Sequence, residues 1–342
     1  MPLREALRRV IDGRDLSEAE AAACVEAILA GRASAAQIAG LLVALRMKGE
    51  SVEELTGGAR ALRAHAIPLP AVPADAIDTC GTGGDGAGTL NVSTAAALVV
   101  AAAGVPVAKH GNRAVSGGVG GTDVLEALGV RVDLPPAALA DCLATLGFAF
   151  LHAPAFHPAL REAAAPRREL GIRTMFNLLG PLANPASVRR QVIGVAEARW
   201  VVPIAEVLRR LGAERAWVVH GAGGIDELAL DGESTVAELD GARIRPRTVT
   251  ARDAGLAPAP LAALRVASLD EAAAALRNVI HGAPGPPRDV VCLNAAAALV
   301  VAGRAPDLAH GVRLAAAAID RGAARALLER LVAFTQARGR AA

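Results

Sequence analysis

At 342 residues, the chain is long enough for one large α/β domain plus a smaller one. Its formal charge is close to balanced, +2 at neutral pH, and the basic pairs Arg167-Arg168 and Arg189-Arg190 are too short for the concentrated basic surface of a nucleic-acid binder. The hydrophobic fraction is 53%, but its longest apolar run, 94–108, is broken by Gly104 and Pro106 and falls short of the roughly 20 residues that span a bilayer.

The opening MPLREALRR lacks an apolar signal core. Cys24, Cys80, Cys142 and Cys292 lie far apart with no CxxC pair, so buried thiols in a reducing cytoplasm are expected. Residues 1 to 66 read as short helices. Leu3, Ala6, Leu7, Val10 and Ile11 make one apolar face, and Ser17…Glu20, Ser34…Gln37 and Ser51…Glu54 have capping-box spacing. Gly31 and Gly49 stand where helices should stop. No chemistry is visible in this module.

After Pro68-Leu69-Pro70 the pattern changes. A strand at 76–79 runs into a Gly-rich loop, a helix is expected over 93–103 and a strand over 105–108. A second Gly-rich loop at 111–121 precedes a helix near 123–128. Further β-like runs lie at 148–151, 191–195 and 216–220, separated by helical patterns. Such alternation predicts a mainly parallel sheet covered on both faces. The stretch 233–250 alternates like an edge hairpin, and from 269 onward the chain reads as helices.

Four segments carry candidate chemistry. In the first, 78–94, glycines allow close backbone approach to a ligand, and Asn91 or Ser93 would cap the next helix with its N–H groups aimed at an anion. A phosphate cradle and a plain strand-to-helix turn both fit this loop. Asp85 would repel phosphate and better suits a sugar hydroxyl or an Mg²⁺-bound water. The P-loop spacing is missing, and no acidic residue at a second strand end supports a dinucleotide site. The second segment, 109–123, leaves a strand at its carboxyl end, where open α/β sheets bind ligands, and Lys109 and Arg113 add positive charge. His110 there also admits a reading as an interior histidine. In the third, Asp226 and Glu227 stand side by side, either an exposed acidic turn or a site for Mg²⁺, which uses one or two carboxylates plus substrate phosphates. The fourth runs from 153 to 185. Its Arg167 suits two-pronged carboxylate binding, and Phe156 and His157 could border a flat aromatic ligand.

Taken in order, GTGGD, NVST, KHGNR, RRELGIRT, FNLLGPLANP and GIDEL resemble the anthranilate phosphoribosyltransferase family, nucleoside phosphorylase-like phosphoribosyltransferases, over nearly the whole chain. The resemblance implies a small all-helical N-terminal domain, 1–68 joined by the returning segment 168–186, and a large α/β domain over 72–342. It implies a homodimer formed through the helical part. The implied reaction moves the 5-phosphoribosyl group from 5-phosphoribosyl 1-pyrophosphate (PRPP) to the amine of anthranilate, a step of tryptophan biosynthesis, with Mg²⁺ as cofactor and two ions per site. By resemblance, Gly81, Gly84, Asp85, Thr89, Asn91, Val92, Ser93, Thr94, Lys109, His110, Gly111, Asn112, Arg113, Ala114, Val115, Ser116, Gly117 and Gly121 would hold PRPP. Ser93, Asp226 and Glu227 would be metal ligands. Gly81, Asn112, His157 and Arg167 would bind anthranilate, with His110 as the candidate catalytic base. Relatives commonly carry a stretch ending Ser-Gly-Ser-Ala-Asp where this chain has Val119-Gly120-Gly121-Thr122-Asp123. Two hydroxyl donors are therefore absent, and contacts from Gly121 must use its backbone N–H.

Two other readings share parts of this pattern. A pyrimidine nucleoside phosphorylase would show Lys-His-Ser-Thr-Gly-Gly where Lys109 to Arg113 stand, and a nucleic-acid-binding paralogue would lose the substrate residues and gain basic surface.

Overall fold

The computed structural model of the chain describes residues 3–114 and 118–339. Four helices come first: α1 (Leu3–Ile11), α2 (Glu18–Leu29), α3 (Ala35–Lys48) and α4 (Val52–Ala64). The capping boxes form as the spacing predicts. The Ser17, Ser34 and Ser51 hydroxyls accept from the N–H groups of Glu20, Gln37 and Glu54, whose side chains accept from the serine backbones in return.

The remainder alternates strands and helices: β1 (Ile77–Gly81), α5 (Val92–Ala102), β2 (Val107–Gly111), α6 (Gly121–Ala127), α7 (Pro136–Leu146), β3 (Phe148–His152), α8 (Ala153–Phe156), α9 (Ala164–Leu170), α10 (Met175–Leu182), β4 (Arg190–Gly194), α11 (Val201–Arg210) and β5 (Arg215–His220). The hairpin β6 (Ser234–Asp240) and β7 (Arg243–Val249) follows, then α12 (Leu269–Ile280), α13 (Pro286–Val301), α14 (Leu308–Asp320) and α15 (Ala323–Gly339). The strands form one sheet in the order β3-β2-β1-β4-β5-β6-β7, parallel from β3 to β5, with the hairpin antiparallel at one edge.

Alternate residues of β5 show why both faces are covered. Trp217 and Val219 join the core built with α5 and α12 to α15, while Ala216 and Val218 join the core shared with α11 and the N-terminal helices. The second core also takes Met175, Phe176, Leu178, Leu179 and Leu182 of α10, so this late segment returns to pack on α4. Burying each of its larger side chains contributes on the order of 1.5–3 kcal/mol.

The strand order sets the place of the site. The chain winds outward from β1 through β2 to β3, then crosses back to lay β4 on the other side of β1. Winding therefore reverses between β1 and β4, and a crevice opens at their carboxyl ends, where α/β sheets bind ligands.

Candidate active site

β1 ends at Gly81, paired in register with Gly194 at the end of β4, and Gly194 in turn pairs with Val219 of β5. The acidic segment that follows β5 lies directly over these ends. A Cβ on Gly194 would come within 1.5 Å of the Asp226 carbonyl oxygen, so only glycine allows this approach. The Asp226 Oδ2 accepts from the Gly83 N–H at 2.7 Å, and Glu227 Oε1 accepts from the Ser93 N–H at 2.9 Å.

This corrects the expected cap of α5. Asn91 is the N-cap residue, but its side chain makes no cap hydrogen bond; its Nδ2 donates to the Val119 carbonyl at 2.7 Å. A carboxylate from another strand's loop, Glu227, takes a first-turn N–H instead, where the helix dipole favours negative charge. Asp85 stays within the same group: Oδ1 accepts from the Ala87 N–H at 3.1 Å, and Oδ2 lies 3.5 Å from the Asp226 nitrogen.

The acidic group is electrostatically incomplete. Burial raises the Asp226 carboxyl above the usual range, with Asp85 adding to the shift, and burial followed by Asp226 raises that of Glu227. Lys109 opposes the Glu227 shift, but its Nζ is already engaged. It donates to the Thr79 carbonyl and, at 3.3 Å, to the Ser93 hydroxyl, underneath the loop rather than in the crevice. Among the described residues no group of three or more His, Cys, Asp or Glu is placed to hold a metal ion. Two carboxylates are nevertheless the protein share that Mg²⁺ commonly uses when a diphosphate brings the remaining oxygens, so the donor set fits magnesium arriving with substrate.

A buried network fixes the end of β2. Asp78 is fully buried and accepts from the His110 N–H at 3.1 Å and from Asn184 Nδ2 at 2.8 Å. The same Asn184 amide reaches the Ala108 carbonyl at 2.9 Å. His110, 6% exposed, places Nδ1 3.1 Å from the Gly180 carbonyl of α10. That contact makes Nδ1 the protonated nitrogen and leaves Nε2 an acceptor, which finds no partner among the described residues. His157 faces it, 3% exposed, with the Ala183 carbonyl near its ring and no well-formed ring-nitrogen hydrogen bond among the described residues. Phe156, expected beside it as a ligand wall, is instead fully buried in a separate core.

Arg167 on α9 lies half-buried with its guanidinium 5.2 Å from the Phe176 ring centroid, and no carboxylate among the described residues pairs with it. Burial lowers its pKa. Asn112 is exposed at the end of β2. Arg113 is not free: it donates to Asp123 at 2.8 Å and to Glu126 at 2.6 and 2.8 Å. Gly81 ends β1, Gly84 and Thr89 lie in the β1–α5 turn, and Val92 and Thr94 in the first turn of α5, while Gly111 ends β2, Ala114 follows it and Gly121 begins α6. Val115, Ser116 and Gly117 fall outside the described residues.

Sequence reasoning missed Arg173. Its guanidinium donates to the Gly83 carbonyl at 2.5 Å and to the Thr82 carbonyl at 3.3 Å. The residue stands within RRELGIRT, so the motif held the signal, but its partners lie 90 and 91 positions away.

Comparison with known proteins agrees with this architecture. Residues 4–66 match the helical bundle domain of a glycosyl transferase family, and residues 73–325 match its a/b domain. The chain is 52% identical to the anthranilate phosphoribosyltransferase of Moorella thermoacetica over 98% of each chain. The crystal structure of the Thermus thermophilus anthranilate phosphoribosyltransferase superposes with a TM-score of 0.91 at 47% identity, covering 97% of this chain and 99% of that one. The Saccharomyces cerevisiae enzyme, solved in complex with PRPP and Mg, has a TM-score of 0.90 at 24% identity over 98% of each chain.

Proposed function

This chain belongs to the anthranilate phosphoribosyltransferase family, and from that premise we propose how its own residues carry the transfer of a 5-phosphoribosyl group from PRPP to the amine of anthranilate. The chain is a pentosyl-transferring enzyme of tryptophan biosynthesis. The supporting observation is the meeting of the Gly81–Gly84 turn, the first turn of α5 and the Asp226-Glu227 pair at the point where strand winding reverses.

In this reading the backbone N–H groups of Gly84, Asn91 and Thr94, with the Thr89 and Thr94 hydroxyls, hold the diphosphate and ribose phosphate of the donor. Asp85 takes a ribose hydroxyl or a metal-bound water. The β2–α6 connection, from Gly111 to Ala114 with Gly121, closes the other side. Arg113 exchanges its bonds to Asp123 and Glu126 for phosphate oxygens. Asp226, Glu227 and Ser93 hold two Mg²⁺ ions, which when bound supply positive charge against the leaving pyrophosphate.

Arg167 grips the anthranilate carboxylate, and Asn112, Gly81 and His157 shape its seat. Contacts link these groups: Arg167 stacks on Phe176 of α10, whose Gly180 carbonyl holds His110, whose ring faces His157. The aryl amine is already nucleophilic, so positioning at the anomeric carbon carries more of the rate than a strong base. His110, its Nε2 free as an acceptor, orients the amine. The transition state has oxocarbenium character, and the pyrophosphate charge is met by preorganised donors.

We assign 1–68 with 168–186 to a helical domain and 72–342 to the catalytic domain. A homodimer through the helical part is supported by exposed Ile11 (67%) and Met47 (83%). No helix among the described residues is long and apolar enough to cross a membrane, and all four cysteines are free and buried, in keeping with a cytoplasmic setting. The test is anthranilate fluorescence. It falls when enzyme, PRPP and Mg²⁺ are combined and stays constant when any one is left out; an unchanged signal in the complete mixture overturns the assignment.

A further inference from the structure

We propose that Arg173 is a positioning residue that shapes the donor turn from the acceptor side of the site. This rests on the functional reading above. Arg173 lies in the short link between α9, which carries Arg167, and α10, and from there it reaches across to the β1–α5 turn. It holds two consecutive carbonyls, those of Thr82 and Gly83.

The Gly83 residue is thereby gripped at both ends. Its N–H goes to Asp226 and its C=O to Arg173, so an anion and a cation fix one short piece of backbone. Burial lowers the pKa of the guanidinium; Asp226, Glu197 and Asp85 oppose that shift and Arg46 adds to it. The next residue confirms how tightly the group is seated: a Cβ on Gly84 would stand 1.6 Å from Arg173 Nη1. The turn's own hydrogen bonds are short-range, Ala87 N–H to Asp85 Oδ1 and Thr82 Oγ1 to the Gly83 carbonyl, and Gly83, Gly84, Gly86 and Gly88 have positive φ. Its shape therefore depends on what grips it from outside, and a turn that presents N–H groups to a diphosphate needs them aimed beforehand. Arginine suits this task because its planar fork reaches two acceptors at once, which lysine cannot do in the same plane.

The role predicts a split that general destabilisation would not produce. Arg173→Gln and Arg173→Lys are compared with the wild-type enzyme by titration calorimetry with Mg²⁺-pyrophosphate, and by steady-state KM for each substrate. Wild type binds pyrophosphate. Arg173→Gln weakens that binding and raises the PRPP KM on the order of 10- to 100-fold, the scale of a mis-set binding group. Arg173→Lys recovers part of the loss, and the anthranilate KM at saturating donor changes by less than about threefold. Equal rises in both KM values, or pyrophosphate affinity unchanged in Arg173→Gln while wild type binds normally, overturn the role of Arg173 alone. Failure of wild type to bind Mg²⁺-pyrophosphate overturns the functional reading and this proposal with it. A circular dichroism melt accompanies each variant. A variant that is unfolded at the assay temperature shows a structural role and also counts against the proposal.

Discussion

The rings of His110 and His157 face each other with centroids 5.2 Å apart and planes tilted by 54°. Both are almost fully buried, and burial drives both toward the neutral form: His110 falls to about 3, with His157 adding to the shift, and His157 to about 4. Two adjacent imidazoles in one chamber therefore stay uncharged at neutral pH. Below about 6.5 the unfolded chain takes up protons that the native chain refuses, so stability falls with acidification. The slope is about 1.4 kcal/mol per pH unit for each histidine until its native value is reached. Denaturant titrations of wild type and His157→Gln between pH 4.5 and 8 should show a shallower acid dependence in the variant; parallel curves would refute the neutral pair. The same shift keeps the His110 imidazole neutral from pH 5 to 9 and weakens it as a base. His110→Ala should lower the rate without deleting a limb of the pH–rate profile between 5 and 9.

Arg167 presents a half-buried guanidinium with an aromatic ring beneath it and no carboxylate among the described residues to satisfy it. A cation in that state has more to gain from an incoming carboxylate than one already paired. Arg167→Ala should raise the anthranilate KM about 10- to 100-fold, the scale of losing charge-assisted hydrogen bonds worth about 1.5–3 kcal/mol. The PRPP KM should move by less than about twofold. Equal effects on both constants would remove Arg167 from the acceptor site.

The contrast between the two arginines of RRELGIRT shows what could be read from the chain and what could not. Local features were legible because their partners are neighbours. The three serine capping boxes join residues three apart, and the strand and helix periods repeat within each element. The motif order placed the Gly-rich turns and the acidic pair correctly at strand ends. Relations between strands were not legible. Glu227 caps α5 from 134 residues away, and Asn184 holds Asp78 from 106 away. Both contacts exist only because β4 was laid beside β1, and no local period encodes that choice. Lys109 was expected to face phosphate for the same reason: its charge is visible in the chain, but its burial against Thr79 and Ser93 is not.

Asp226 and Glu227 are held in charged proximity that the native fold must offset. Their raised carboxyl values mean the native chain binds more protons than the unfolded one above about pH 4, so this pair lowers stability as pH rises through the native values and costs most at pH 8. Glu227→Gln should therefore melt higher than wild type at pH 8 without Mg²⁺ and about equally at pH 4.5. Addition of Mg²⁺ with pyrophosphate should raise the wild-type melting temperature and leave an Asp226→Asn/Glu227→Gln double variant nearly unmoved. An equal rise in both would place the metal elsewhere.

Gly84 combines a φ of +72° with the Arg173 guanidinium seated against it. Two separate penalties then attend Gly84→Ala. The left-handed backbone costs an alanine about 1–2 kcal/mol, and the new methyl must displace Nη1, which would stand 1.6 Å from it. Replacing Arg173 by alanine removes the second penalty but leaves the first. A double-mutant cycle should thus give Gly84→Ala a smaller cost in the Arg173→Ala background than in wild type, by at least about 0.5 kcal/mol. Chemical denaturation of the four proteins measures this directly. Strict additivity would mean that the guanidinium does not rest on Gly84 in solution, and that the donor turn keeps its shape by other means.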